Sequence, residues 1–322
     1  MDLRSLGRAA NAALLLVVFC AGRPACAAKL GTAKQGAAHG ISGAEVLRLT
    51  QQYVNAAPKR YVGSAGHAAA ENFIKSHFQP EAAKGNFVTD EFYARTPIGM
   101  VTMRNFIAKF PGKKDGIIVL ASHYETNYWL KDINFVGAND GACTTALLIA
   151  IGQHLREHPP QGYSVWLLFD DGEESINEQW TDADSLYGVR HIAAKWSQDG
   201  TLGKIKAFIV ADMIGSKGMN IDKELNSTPW LLDLLAQAGK NTGHSNSLFK
   251  HSGPIEDDHL PFKQRGVPVL DVIAYEYGPY DDKRGDYAYH HTAQDTMDKL
   301  SAQSLQISAD LFLDLIRLID QH

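Results

Sequence analysis

The fold of this chain is decided by the stretch Gly116-Ile-Ile-Val-Leu-Ala-Ser122, an apolar run in which no polar residues alternate. A strand with one face in water alternates apolar and polar residues, whereas a strand covered on both faces is a continuous apolar run. We therefore predict a buried central strand here. His123 and Glu125 follow it directly, at the end where α/β sheets open their binding crevice.

Similar apolar runs alternate along the chain with helical patterns. The predicted strands cover residues 103–110, 116–122, 163–169, 205–211 and 267–274. The predicted helices cover residues 66–78, 141–158, 185–197, 228–239 and 301–320. A further helix starts at Ser42, where Glu45 completes a capping-box pattern in which each side chain accepts a hydrogen bond from a backbone N–H. The alternation predicts an α/β fold with a mixed, largely parallel central sheet and helices on both faces.

Residues 1–28 carry the features of a secretory signal peptide. Arg4 and Arg8 precede an apolar run over residues 13–21, and Ala25-Cys26-Ala27 supplies a cleavage site of the A-x-A type. The alternative is a membrane anchor, but this run is shorter than the roughly 20 residues that cross a bilayer. We expect cleavage and export, periplasmic or secreted, with no stable membrane association afterwards.

The rest of the chain predicts a flexible leader over residues 29–41 and a single domain over residues 42–322. The cleaved chain keeps only Cys143, so it cannot form an internal disulfide and must rely on its core. The net charge is −5 and the sequence has no run of Lys or Arg, which excludes a surface that tracks phosphates. Nucleic acid is therefore not an expected partner, and we expect a monomer.

Acids and histidines follow the ends of the predicted strands. They include His123, Glu125, Asp140, Glu173, Glu174, Asp212, Asp257, His290 and His291. Each alone has a plainer explanation as a turn residue, a solvated acid or a structural histidine. Together they would crowd carboxylates into one crevice, where their charges repel one another unless a divalent cation is bound. Imidazole mixed with carboxylates favours zinc over calcium or magnesium, which prefer oxygen ligands alone.

Glu173 and Glu174 are adjacent, and neighbouring side chains in an extended segment point in opposite directions. One carboxylate can therefore bind the metal while the other remains free as a base. Two acids in different environments allow a site to separate a metal ligand from a proton carrier.

At these residues the sequence resembles the glutaminyl cyclases, relatives of the zinc-dependent aminopeptidases of peptidase family M28. The similarity lies in blocks at residues 122–125, 136–140, 169–174, 184–191, 255–262, 265–270 and 291–292. The resemblance implies a zinc exopeptidase-like fold with one catalytic domain and one Zn²⁺ per chain. It also implies an acyltransferase, a glutaminyl-peptide cyclotransferase, which converts the N-terminal glutamine of peptides or proteins to pyroglutamate and releases ammonia.

The resemblance further implies roles for individual residues. Asp140, Glu174 and His291 match the zinc ligands, and Glu173 matches the general acid/base. Three protein ligands leave zinc one open position, which in a cyclase takes the γ-carbonyl oxygen of the glutamine.

Other residues match the surroundings of that base. Asp212 and Asp257 match carboxyl groups that share a hydrogen-bond network with it, and we expect them to be catalytic. Trp180 matches the aromatic wall of the substrate pocket. Ile255 and His290 are the other expected substrate contacts, with His290 standing where the family usually has Trp.

The sequence departs from the family at two further places. Glu125 stands where Asp is usual, and the loop over residues 275–289 is longer and richer in tyrosine. Both departures concern the rim of the pocket, and with it the preference for residues after the glutamine. The disulfide of animal cyclases has no counterpart here, which suits a bacterial origin.

Two alternatives remain open. A two-zinc aminopeptidase of family M28 would use His123 and Asp212 for a second metal, with Asp140 as the bridge and Glu173 activating water. A metal-free peptide-binding module would use the same scaffold, although every predicted ligand and the base are present in this chain.

Overall fold

The computed structural model describes residues 40–322 and contains a central six-stranded sheet. The strands in chain order are β1 (Phe87–Thr96), β2 (Gly99–Phe110), β3 (Lys114–His123), β4 (Tyr163–Asp170), β5 (Ile205–Asp212), β6 (Ile221–Glu224), β7 (Leu248–Gly253), β8 (Val269–Ile273), β9 (Tyr280–Asp281) and β10 (Asp286–Tyr287). The order across the central sheet is β1-β2-β4-β3-β5-β8. The pairs β3/β4, β3/β5 and β5/β8 are parallel, and β1/β2 and β2/β4 are antiparallel. The predicted mixed, largely parallel sheet is confirmed.

The chain places β4 on one side of β3 and then returns to place β5 on the other side. Such a reversal of direction opens a crevice beyond the carboxyl ends of the strands, because the loops on either side turn away from each other. The strands β3, β4 and β5 end at His123, Asp170 and Asp212. The reversal therefore brings an imidazole and two carboxyl groups to the edge of one crevice.

Helices cover both faces of this sheet. They are α1 (Gly43–Ala56), α2 (Ala65–His77), α3 (Gln79–Ala83), α4 (Cys143–Glu157), α5 (Tyr187–Gln198), α6 (Pro229–Thr242), α7 (Leu260–Lys263) and α8 (Ala302–Gln321). Alternate residues of β3 show the two layers: Ile118 and Leu120 pack in the core with α1, α4 and α8, whereas Ile117 and Val119 pack with α5. All six predicted helices and all five predicted strands are confirmed.

The edge strand β1 is absent from the sequence prediction. Its burial alternates between covered and exposed residues, and Asp90, Glu91 and Arg95 interrupt its apolar pattern. The shorter pairs β6/β7 and β9/β10 have too few residues to produce a period.

Two predictions concern the start of the chain. The signal peptide at residues 1–28, and nearly all of the leader at 29–41, lie outside the described residues, so the predicted segment boundaries stay predictions. Within residues 40–322, no helix is both long enough and apolar enough to cross a membrane.

Cys143 is a buried free thiol in the described part of the chain.

The predicted capping box at the start of α1 is wrong. The Ser42 side chain makes no capping hydrogen bond, and the Glu45 carboxylate instead accepts a hydrogen bond of 2.8 Å from the Arg48 guanidinium. The Gly43 N–H donates to Oε1 of Gln306 in α8 at 2.8 Å. A tertiary contact therefore replaces the local cap that the sequence pattern suggests.

This difference predicts unequal effects for two serines at helix starts. Ser64 does cap α2, because its Oγ accepts a hydrogen bond from the His67 N–H at 2.9 Å. We expect Ser64→Ala to lower the free energy of unfolding by about 1 kcal/mol. The matched change Ser42→Ala should cost less than about 0.5 kcal/mol, as an exposed surface substitution. Urea unfolding followed by circular dichroism measures both, and equal losses would contradict the assignment.

Candidate active site

A cavity of about 690 Å³ lies at the carboxyl edge of the sheet. It is lined by all nine residues predicted as ligands, catalytic groups or substrate contacts: Asp140, Glu173, Glu174, Trp180, Asp212, Ile255, Asp257, His290 and His291. These residues come from widely separated parts of the chain, so the fold brings the predicted constellation together in one place. The roles of the individual residues remain predictions.

The loop after β4 is held by its own backbone. The Tyr187 N–H donates to the Gly172 carbonyl at 2.7 Å, and the Leu186 N–H donates to the Glu173 carbonyl at 2.8 Å. On the other side, the Glu174 N–H donates to Oε1 of Glu125 at 3.1 Å. These bonds fix the backbone from which the two adjacent glutamate side chains extend.

The three predicted metal ligands meet at one imidazole nitrogen. Nε2 of His291 lies 3.3 Å from Oδ2 of Asp140 and 3.1 Å from Oε1 of Glu174. Oδ2 of Asp140 is buried and accepts no hydrogen bond from the described residues. Two carboxylate oxygens and one imidazole nitrogen form a donor set that fits zinc. The residues present therefore fit the metal that the family resemblance implies.

Opposite charges attract one another within this donor set. Burial alone would raise the pKa of Asp140, but the neighbouring His123 and His291 outweigh burial and hold that pKa well below its usual value. Burial disfavours the protonated form of His291, but the neighbouring Glu174 and Asp140 raise the pKa of His291 well above its usual value. The proton on His291 thus supplies positive charge between the two acids, and a metal ion bound there would displace that proton.

The backbone of His291 is also unusual. Its φ angle of 51° lies in the left-handed region, which a non-glycine residue rarely adopts. Strain of this kind persists where surrounding contacts impose it, and it occurs often at functional sites. Here the amide of Asn127 helps to define the position, because its nitrogen lies 3.3 Å from Nε2 of His291 and donates to Glu174.

Arg60 holds the turn that carries Asp140, and sequence reasoning missed it as a site residue. The guanidinium is fully buried and donates to the carbonyls of Val136, Gly137 and Asp140 at 2.5, 2.7 and 3.0 Å. It also donates to the Tyr124 carbonyl at 2.8 Å. No pattern in the local sequence of Arg60 indicates this role.

Asp295 fixes the same turn from the opposite side. Its carboxyl group accepts hydrogen bonds from the N–H groups of Asn139 and Asp140 at 2.8 and 3.2 Å, and from the Tyr277 hydroxyl at 2.6 Å. Asp295 lies four residues after His291. One short segment therefore supplies the predicted ligand His291 and also the carboxyl group that holds the backbone of the predicted ligand Asp140.

Glu173 lines the same cavity as its neighbour but has different side-chain contacts. Its Oε2 lies 3.9 Å from Nδ1 of His123, away from the group formed by Glu174, Asp140 and His291. Burial and the adjacent charge of Glu174 raise the pKa of Glu173 well above its usual value, and the charges of Asp257 and Asp212 raise it further. A free carboxyl group with a raised pKa is suited to carry a proton.

A second set of possible ligands lies beside the first. Nε2 of His123 is 3.2 Å from Oδ1 of Asp140 and 3.5 Å from Oδ1 of Asp212. The ligand atoms of these three residues all lie within 4.8 Å of one another, close enough to hold an ion. Asp140 thus directs one oxygen towards each set, which is the arrangement that a two-metal alternative requires.

The wall of the cavity includes the predicted substrate contacts and part of the tyrosine-rich loop. The His290 ring lies against His291 with ring centres 3.8 Å apart, and its Nδ1 is 2.7 Å from Oδ2 of Asp286. Tyr275 and Tyr287 of the 275–289 loop also line the cavity. The prediction that this loop borders the site is confirmed.

Comparison with known proteins adds an independent line of support. Residues 105–316 match peptidase family M28. The glutaminyl-peptide cyclotransferase of Drosophila melanogaster is 30% identical over 239 residues, and the match covers 66% of each protein. A solved glutaminyl cyclase from an Acidobacteriales bacterium is 65% identical, with a TM-score of 0.87 over 89% of this chain and 97% of that chain.

A more distant structure shares the fold. The zinc-dependent exopeptidase from Parabacteroides distasonis is 20% identical, with a TM-score of 0.74 over 86% of this chain and 98% of that chain. The predicted fold class and the predicted family are both confirmed by these matches. The chain belongs to peptidase family M28, among its glutaminyl cyclases.

Proposed function

We propose that this protein is a glutaminyl-peptide cyclotransferase that uses one zinc ion per chain. The observation that carries the proposal is the division between two adjacent acids. Glu174 contacts His291, which also contacts Asp140, whereas Glu173 lines the same cavity without contacting these groups and lies 3.9 Å from His123. The 65% identity to a solved glutaminyl cyclase supports the same reaction. The substrates are peptides or proteins with an N-terminal glutamine.

Asp140, Glu174 and His291 would hold the zinc ion, which when bound would polarise the γ-carbonyl of the substrate glutamine. The chain holds this ligand set in place through contacts of its own. Arg60 and Asp295 fix the backbone at Asp140 from two sides.

Glu173 would move the protons of the reaction. The substrate's α-amine attacks the carbonyl carbon of its own side-chain amide, so a new C–N bond closes the five-membered ring while the bond from that carbon to the amide nitrogen breaks. Glu173 would take a proton from the amine and deliver one to the departing nitrogen, which leaves as ammonia. General acid–base help of this kind contributes about 10²–10⁴-fold in rate. The raised pKa of Glu173 allows it to hold a proton between the two transfers.

Other cavity residues would serve binding and charge. Trp180, Ile255 and His290 line the cavity and would enclose the glutamine side chain. Asp212 and Asp257 are close enough for their charges to raise the pKa of Glu173. They would thus favour the state in which Glu173 carries a proton.

The second candidate is a two-zinc aminopeptidase, because His123, Asp140 and Asp212 could hold another ion. It would use water as the nucleophile and release the first residue of many peptides. We favour the cyclase, since the more closely matched relatives are glutaminyl cyclases. We also propose export after removal of residues 1–28, which places the enzyme in the periplasm or the medium, as a monomer.

The reaction itself is tested with two peptides that differ only at the first residue. A peptide that begins with glutamine should lose the mass of one ammonia molecule, and the peptide that begins with leucine should stay intact. Mass spectrometry of both, with ammonia measured in parallel, gives the result. Release of free leucine without ammonia loss from the first peptide would show an aminopeptidase.

The roles of the metal ligand and the base are separated by two substitutions. Glu173→Gln should keep the metal and lower kcat by about 10²–10⁴-fold, because the proton carrier is lost while the ligands remain. His291→Ala should lose the metal, because two carboxylates alone remain. Metal content by atomic emission and turnover of the glutamine peptide are measured on both. Full activity in the first variant, or one bound metal ion in the second, would refute the assignments.

A further inference from the structure

Two aspartates behind the cavity have no visible partner for their charge. Asp170 and Asp258 are fully buried, and none of their four carboxylate oxygens accepts an N–H or O–H hydrogen bond in the part of the chain that is described. The two carboxyl groups lie within hydrogen-bonding range of each other. Two buried carboxylates this close cannot both stay ionised, but one shared proton turns their repulsion into a hydrogen bond.

Among the described residues that act on the pair, the one base is His123, and other acids also contact it. The charged or titratable groups that act on it are His123, Glu125, Asp171, Glu173 and Asp257. Four of these are acids. The one imidazole, His123, is within 3.5 Å of Asp140 and Asp212. A proton is therefore the simplest source of positive charge for the pair.

The electrostatic directions agree with this geometry. Burial raises the pKa of Asp170 to about 6. Burial and the neighbouring Asp170 raise the pKa of Asp258 well above its usual value. One proton should therefore remain on the pair near neutral pH.

The pair joins the two segments that carry the acids of the site. Asp170 is the last residue of β4, three residues before Glu173, and Asp258 directly follows Asp257. These segments are far apart in sequence and belong to different loops. A contact between Asp170 and Asp258 therefore sets the distance between Glu173 and Asp257.

We propose that Asp170 and Asp258 share one proton and thereby act as a tether that positions Glu173 against Asp257. Both are positioning residues, since neither lines the cavity. The kinetic consequence rests on the proposed cyclase function, whereas the shared proton itself does not.

The kinetic test compares two substitutions at one position. Asp170→Ala removes the tether, and we expect kcat to fall between about 10- and 100-fold with little change in KM, as for a misplaced catalytic group. Asp170→Asn keeps a donor towards Asp258 without needing the shared proton, so kcat should recover to within about threefold of the native value. Should Asp170→Asn be as impaired as Asp170→Ala, the tether is wrong.

The shared proton is tested by melting the protein across pH, which needs no activity. The pair holds a proton that unfolded aspartates release, so its contribution to stability is present at low pH and is lost as pH rises through the raised pKa. The melting temperature of the native protein should therefore fall as the pH rises above the ordinary aspartate pKa of about 4, and Asp170→Asn should reduce that fall. Equal slopes in the two proteins would overturn the proposal.

Asp184 provides the matched control. It is also buried, but its carboxylate accepts hydrogen bonds from the N–H groups of Ile176 and Asn177 and from the Tyr187 hydroxyl at 2.8–3.0 Å. Asp184→Asn should lower the melting temperature at every pH, because an amide cannot replace an acceptor-only group.

The remaining outcomes are also decisive. Loss of a bound metal ion in Asp170→Asn, measured by atomic emission, would show that the pair binds a cation and not a proton. If the native protein fails to cyclise the glutamine peptide while Asp170→Asn still flattens the melting profile, the proposed function fails and the shared proton stands.

Discussion

Repulsion between buried carboxyl groups is the constraint on which this structure depends. The carboxyl ends of the central strands bring Asp140, Glu173, Glu174, Asp212 and Asp257 to one cavity, with further acids behind it. Water screens such charges poorly in a buried space, so each ionised acid needs a donor, a cation or a proton. Hydrogen-bond donors satisfy some of these acids, a metal ion is proposed between others, and a shared proton is proposed for the pair behind the cavity.

Some acids away from the cavity have all their hydrogen-bond needs met by the protein, whereas several acids that line or back the cavity keep an oxygen without a donor. Asp171 is bound by His67 at 2.8 Å and by the Arg104 N–H at 2.7 Å. Glu224 accepts four hydrogen bonds of 2.6–3.0 Å from nearby loop residues. In contrast, one oxygen each of Asp140, Asp212 and Asp257 is buried and accepts no hydrogen bond from the described chain. The fold therefore uses satisfied acids to fix its loops and leaves unsatisfied acids where positive charge is needed.

The sequence predicts those parts of the molecule that a local pattern determines. Continuous apolar runs identify the buried strands, and positions just after them identify the crevice, which is why the predicted site residues meet. The capping box at Ser42 fails because Gln306, far away in sequence, takes over the bond to the helix start. Arg60 is missed for the same reason, since its role arises from contacts between distant segments.

The adjacency of Glu173 and Glu174 links the proposed metal ligand to the proposed base more closely than two separate positions could. Hydrogen bonds to the backbone at both residues fix the segment, so the two side chains diverge from one rigid point. The Glu174 carboxylate contacts His291, while its charge adds to burial in raising the pKa of Glu173. A cation bound by Glu174 would offset part of that charge and lower the pKa of Glu173 towards the range in which it can both accept and release a proton. Metal binding by Glu174 would therefore change the pKa of Glu173 through a single peptide unit.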